Sequence, residues 1–194
     1  MKQKTMVVFF ITLLTVSLLS AAEYEQKIAR RFELSPTGSI ELSSVNGEIV
    51  VSSSGTAVDI KAVKRSDHKG EIENVEVLFE QNGDRLRVKT VHHKRISRAK
   101  VDFIVTIPEK LARAVFNSVN GRIDCSGKFA DLALKTVNGT VDFQGQFRAG
   151  AFETVNGAIE IVQEPLLGGN LEANTVNGSI DIELNRNSAF EVEG

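Results

Sequence analysis

A four-residue phrase occurs five times along this chain, as Ser44-Val45-Asn46-Gly47, Ser118-Val119-Asn120-Gly121, Thr136-Val137-Asn138-Gly139, Thr154-Val155-Asn156-Gly157 and Thr175-Val176-Asn177-Gly178. The last four glycines are 18, 18 and 21 residues apart. Recurrence on that scale marks a quasi-one-dimensional stack, in which each unit buries its apolar face against its neighbours. Function in such a chain belongs to an extended surface more naturally than to one catalytic pocket.

Parity shows what the phrase does. Leu132, Leu134 and Thr136 share one face, and Val141 and Phe143 continue the apolar set with opposite parity. A straight strand cannot switch parity, so the backbone bends at Val137-Asn138-Gly139. Asn and Gly are the residues that tolerate such a bend. The same arithmetic holds for Phe152 and Thr154 before Ile159 and Ile161, and for Ala173 and Thr175 before Ile180 and Ile182. The structural turns are therefore Asn46-Gly47, Asn120-Gly121, Asn138-Gly139, Asn156-Gly157 and Asn177-Gly178.

Elsewhere apolar residues alternate with period two, as in Val75, Val77 and Phe79, or Val101, Phe103, Val105 and Ile107. This is the pattern of half-buried strands, and the class is all-β. The polar stretch from Glu23 to Arg31 is the one candidate for a short helix. Two architectures meet the parity rule. In an up-and-down antiparallel meander each Asn-Gly is a hairpin turn, pairing Thr136 with Val141. In a single-stranded β-solenoid of 18 to 21-residue repeats each Asn-Gly is a corner, and like residues stack on like. The solenoid is favoured, because the hairpin does not explain the Thr or Ser and the Val that precede every copy.

The expected organisation is a signal peptide over 1–22 and one β-repeat domain over 23–194, with regular coils over 113–194 and a wider, less regular sheet region over 59–112. Lys2 and Lys4, the apolar run Met6 to Leu19 and the small residues Ser20-Ala21-Ala22 form the export signal. A retained N-terminal anchor is the alternative. Within 59–112, Asn82-Gly83 lies between alternating segments and reads as a true hairpin, and Pro108 closes the strand before it. The segment Pro165 to Gly169 is an inserted loop that stretches the last spacing. Residues Ala189 to Gly194 echo Ala151-Phe152-Glu153 and begin another half-coil.

The phrase, the segment Phe32-Glu33-Leu34 to Gly47-Glu48-Ile49-Val50 and the strand end Val105-Thr106-Ile107-Pro108 together resemble the bacterial family of β-strand-repeat domains known as putative adhesins. The resemblance implies a β-helix-like envelope or surface domain with no assigned catalytic residues.

Candidate chemistry is sparse. Asp124, Asp142, Glu160 and Asp181 each stand three residues beyond a phrase glycine and face outward, so stacking makes them an acidic stripe. Stacked carboxylates repel unless a cation or a base screens them, which makes them a candidate Ca²⁺-type stripe. The bland alternative is a solvated strand face. The run from Arg85 to Lys100 is basic and free of acids, and Arg85, Arg87, Lys94 and Arg95 are its candidate polyanion-binding residues. Its bland alternative is a charged hairpin that blunts a sheet edge. The chain carries 23 basic against 25 acidic side chains, a balance that does not suggest nucleic acid.

Cys125, the one cysteine, occupies a core register position and is not a nucleophile. His92 and His93 are adjacent on a strand, so their rings point to opposite faces and do not share a metal. No cofactor is expected. The reading is a non-enzymatic exported module, periplasmic, surface-bound or secreted. It binds a protein, a polysaccharide or an anionic polymer, with self-association through solenoid ends as a further partner. The alternatives are a carbohydrate-active β-helix enzyme and a membrane-anchored component of an envelope sensing system.

Overall fold

The computed structural model describes residues 24–93, 98–109, 111–163 and 170–184. The expected signal peptide, Lys94 and Arg95, the loop Pro165 to Gly169 and the echo at Ala189 to Gly194 lie outside the described residues. Thirteen strands and one short helix follow one another as β1 (Tyr24–Phe32), β2 (Ser39–Asn46), β3 (Ile49–Gly55), β4 (Val58–Ser66), α1 (Lys69–Glu73), β5 (Val75–Asn82), β6 (Arg85–His92), β7 (Lys100–Pro108), β8 (Arg113–Asn120), β9 (Ile123–Lys135), β10 (Val141–Asn156), β11 (Ile159–Gln163), β12 (Asn170–Asn177) and β13 (Ile180–Leu184). The all-β expectation holds. The segment expected as a short helix is instead β1, whose outward charges pair with β4 in Arg31–Asp59 (3.2 Å) and Arg65–Glu25 (3.1 Å). Its polar composition is that of an edge strand.

All thirteen strands belong to one hydrogen-bonded sheet. β9 pairs with β10 in parallel, with Ile123 beside Val141 and Leu134 beside Phe152, an offset of one 18-residue repeat. β11 and β12 then add in parallel to the two halves of β10, and β13 adds to β11. This register excludes the antiparallel meander, because Val141 lies beside Ile123 and Ile159 and not opposite Thr136. The sheet as a whole is nevertheless mixed. β1 with β4, β4 with β7 and β5 with β6 are antiparallel, so the chain is a mixed all-β sheet and not a single-stranded solenoid throughout. The long interval between the first two phrase copies holds β4 to β7, while β1 precedes the first copy. The Asn82-Gly83 hairpin joins β5 to β6 as expected, with Gly83 at φ +57°.

Two kinds of corner let one chain serve both faces of the core. At the phrase, the backbones of successive copies approach so closely that a Cβ on Gly139 would lie 2.3 Å from the Gly121 carbonyl oxygen. A second bend falls inside β9 and β10, where Gly127 and Gly145 take φ +120° and +146°. Such values are strained for any residue with a Cβ. The first half of β9 consequently joins β3, while its second half joins β8.

The core lies between the two halves. Phe143 from the first half of β10 meets Phe152 from the second at 5.6 Å between ring centroids, and both meet Phe147. Ile123, Cys125, Val141, Ile159 and Leu134 join them, each at most 1% exposed, and the same cluster continues through Phe116, Leu42 and Phe103. Ring contacts of this kind add to the burial of apolar area.

Candidate binding surface

The phrase carries two ladders along the stack. Asn120 donates to Asn46, Asn138 to Asn120, Asn156 to Asn138 and Asn177 to Asn156, all through the side-chain amides at 2.8–2.9 Å. Beneath them the Oγ1 hydroxyls of Thr136, Thr154 and Thr175 donate to the carbonyls of Gly121, Gly139 and Gly157 at 3.0, 3.0 and 3.2 Å. The turn residues named from the sequence are therefore brought together, as structure. The intervening valines point outward, and Val119, Val137 and Val155 are each about two-fifths exposed.

The four carboxylates of the acidic stripe also align, because Asp124, Asp142, Glu160 and Asp181 are lateral neighbours on β9, β10, β11 and β13. Among the described residues no group of three or more potential ligands is arranged to hold a metal ion. Screening comes from Arg122, whose guanidinium reaches Asp142 at 2.7 Å and Asp124 at 3.5 Å. Burial pushes the Asp142 carboxyl above its usual range; Arg122 opposes the shift, and Glu160 and Asp124 add to it. The sequence pattern did not single out Arg122, since it stands in the one copy with a base directly after the phrase.

The basic run divides. Arg87 on β6 pairs with Glu41 at 3.3 Å, and Lys89 pairs with Glu80 at 3.1 Å. Lys100 begins β7, a strand not paired with β6. Arg85 and Arg87 are exposed on the hairpin, and their partners Lys94 and Arg95 lie outside the described residues. Two of the basic side chains on β6, Arg87 and Lys89, thus face neighbouring carboxylates, and β6 itself is an interior strand between β2 and β5. Cys125 is fully buried, and burial, followed by the nearby Asp124 charge, pushes its thiol well above the ordinary range. His92, the last residue of β6, is half-buried and held low by burial, whereas His93 lies in the bend beyond the strand, exposed, and faces Glu76 at 3.3 Å.

A groove that the sequence did not disclose crosses β8, β9, β10 and β12 near the starts of β8 and β12, with a volume of about 450 Å³. Small apolar residues line much of it, Ala133 and Ala151 side by side on β9 and β10 and Ala114 and Gly150 beside them. Arg113 and Arg148 stand along one wall, and Asp131 between them accepts from Arg148 at 2.5 Å. Glu172 on β12 lies beside Ala151 at the far end. Two alanines carry no chemical signature, so only their lateral placement makes them part of a groove.

Comparison with solved structures addresses the fold. A putative cell adhesion protein from Clostridium sporogenes superposes with a TM-score of 0.59 over 82% of this chain and 99% of its own, at 11% identity. The chain is similar to putative adhesins. A putative adhesin from Bacteroides fragilis (12% identity, 81% of this chain and 97% of its own, TM-score 0.38) and one from Parabacteroides distasonis (12%, 81% and 70%, 0.40) also match. The resemblance read from the recurring phrase therefore holds at the level of fold. No family model and no curated protein matches the sequence. Among the described residues no helix is long and apolar enough to cross a membrane.

Proposed function

We infer that this chain is a non-enzymatic, exported binding or scaffolding module of the bacterial envelope or surface, in which the parallel stack from β8 to β13 acts as a solenoid-like platform. The observation that carries the reading is the register of the stack. Successive copies present the same backbone positions at lateral strand spacing, so outward side chains form rows across several strands. Ladders beneath those rows fix their geometry, and recognition falls to the residues that vary from copy to copy. The fold shared with a putative cell adhesion protein supports a surface role. The Lys2 to Ala22 pattern supports export.

The test is fractionation of the tagged full chain, N-terminal sequencing of the recovered form and its retention on envelope preparations. Recovery in an exported fraction without residues 1–22, together with retention on envelope material, is the expected result. Full-length protein confined to the cytosol would overturn the reading.

A further inference from the structure

We propose that the groove across β8, β9, β10 and β12 is a binding site for a linear, carboxylate-bearing glycan lying along the stack. The proposal rests on the surface-binding reading above and names its ligand class.

Three features select that chemistry. The groove crosses four adjacent strands, a run of about 14 Å at ordinary lateral strand spacing. That length and its volume of about 450 Å³ suit a short stretch of polymer. They fall well short of the patch a stable protein partner needs. Ala133 and Ala151, lateral neighbours in the lining, offer a small apolar surface, on which the C–H face of a pyranose can rest. Arg113 and Arg148 then stand where a sugar carboxylate would meet guanidinium forks, which match carboxylates in two-pronged geometry. Arg113 has no ion pair among the described residues. Arg148 is held in place by Asp131 at 2.5 Å, in a pair exposed enough to be shared. The hydroxyls of the chain would meet the Glu172 carboxylate at the far end.

An extended peptide fits less well. Peptides that add to sheets lie along an open strand edge, whereas this groove runs across the strands: β8, β9 and the second half of β10 are hydrogen-bonded on both sides, and among the described residues only β12 at its far end has an open edge. General attraction of polyanions does not substitute for the site either, since the chain is net acidic, with a formal charge of −2.

The experiment is titration calorimetry of the full chain with a uronic-acid hexasaccharide, a neutral glucose hexasaccharide of the same length and an acidic hexapeptide. The parent protein is expected to bind the uronate oligosaccharide at least tenfold more tightly than either control. Arg113→Gln should weaken that binding about tenfold or more, the usual worth of a charged hydrogen bond. Ala133→Glu should abolish it by filling the groove with a like charge, and thermal melts establish that both variants are folded. The proposal is overturned if the parent shows no binding at millimolar ligand, if the neutral sugar or the peptide binds equally well, or if both folded variants bind like the parent. Retention on envelope material that the uronate does not compete away removes the groove proposal and leaves the surface-binding reading standing. Absence of both retention and oligosaccharide binding removes both.

Discussion

Replacing Asn138 by alanine should cost about twice as much stability as replacing Asn177. Asn138 sits inside the amide ladder, donating to Asn120 at 2.8 Å and accepting from Asn156 at 2.8 Å. Asn177 makes a single ladder bond, its donation to Asn156 at 2.9 Å. A hydrogen bond is worth about 0.5–1.5 kcal/mol net, and exposed amides fall toward the lower end because water competes for both groups. The truncations should therefore cost about 1–2 kcal/mol and about 0.5–1 kcal/mol. For a domain of this size each kcal/mol lowers Tm by roughly 2–4 °C. Urea titration of both variants, with an unchanged m-value, measures the two losses directly. Equal losses, or two losses near zero, would refute the idea that the phrase asparagines act as a continuous ladder and not as isolated turn residues.

Four further outcomes follow from the same geometry. Gly139→Ala should destabilise by at least about 1–3 kcal/mol in urea titration, because the new Cβ would meet the Gly121 carbonyl at 2.3 Å and backbone cannot yield as a side chain can. Phe143→Ala, which empties the centre of a ring cluster with Phe129, Phe147 and Phe152, should cost about 3–5 kcal/mol in the same assay. Because the Asp142 carboxyl is raised in the folded state, the native protein binds its proton more tightly than the unfolded chain, so its ionisation costs stability as pH rises through and beyond the ordinary carboxylate range. Asp142→Asn should accordingly be more stable than the parent at neutral pH, an advantage that thermal melts should show shrinking as pH falls into that range. Cys125, fully buried, should react with a thiol reagent only at the rate of unfolding, and rapid labelling under native conditions would contradict its place in the core.

Parts of this fold are legible in the residues themselves. The parity switch at each Thr-Val-Asn-Gly announces a corner, and the match of Asp124 with Asp142, Glu160 and Asp181 follows from counting three beyond each glycine. The second corner is harder to see. Gly127 and Gly145 both lie six residues after a phrase glycine, but the equivalent position in the next copy is Gln163, so the recurrence covers only two copies. The antiparallel strands β1 and β4 escape repeat logic because they carry no phrase, and the charges of β1 mimic a polar helix until Arg65 and Asp59 are set beside them. The groove depends on lateral neighbours: Ala133 and Ala151 are 18 residues apart, and nothing in either residue announces that together they line a groove beside Arg113 and Arg148.

Successive phrase copies stack side by side in parallel, one repeat apart. In a Cys125→Val background, which places at that site the residue its lateral neighbour Val51 already carries, Val137→Cys and Val155→Cys can be combined. Both positions are exposed, and the Asn138–Asn156 bridge sets their backbones at neighbouring-strand distance, within reach of a disulfide. Mild oxidation should join the two cysteines in the monomer, read by mass and by gel mobility. Failure of that pair to join, with ready joining of a Thr136→Cys and Val141→Cys pair, would contradict the stacked register and restore a hairpin at every Asn-Gly.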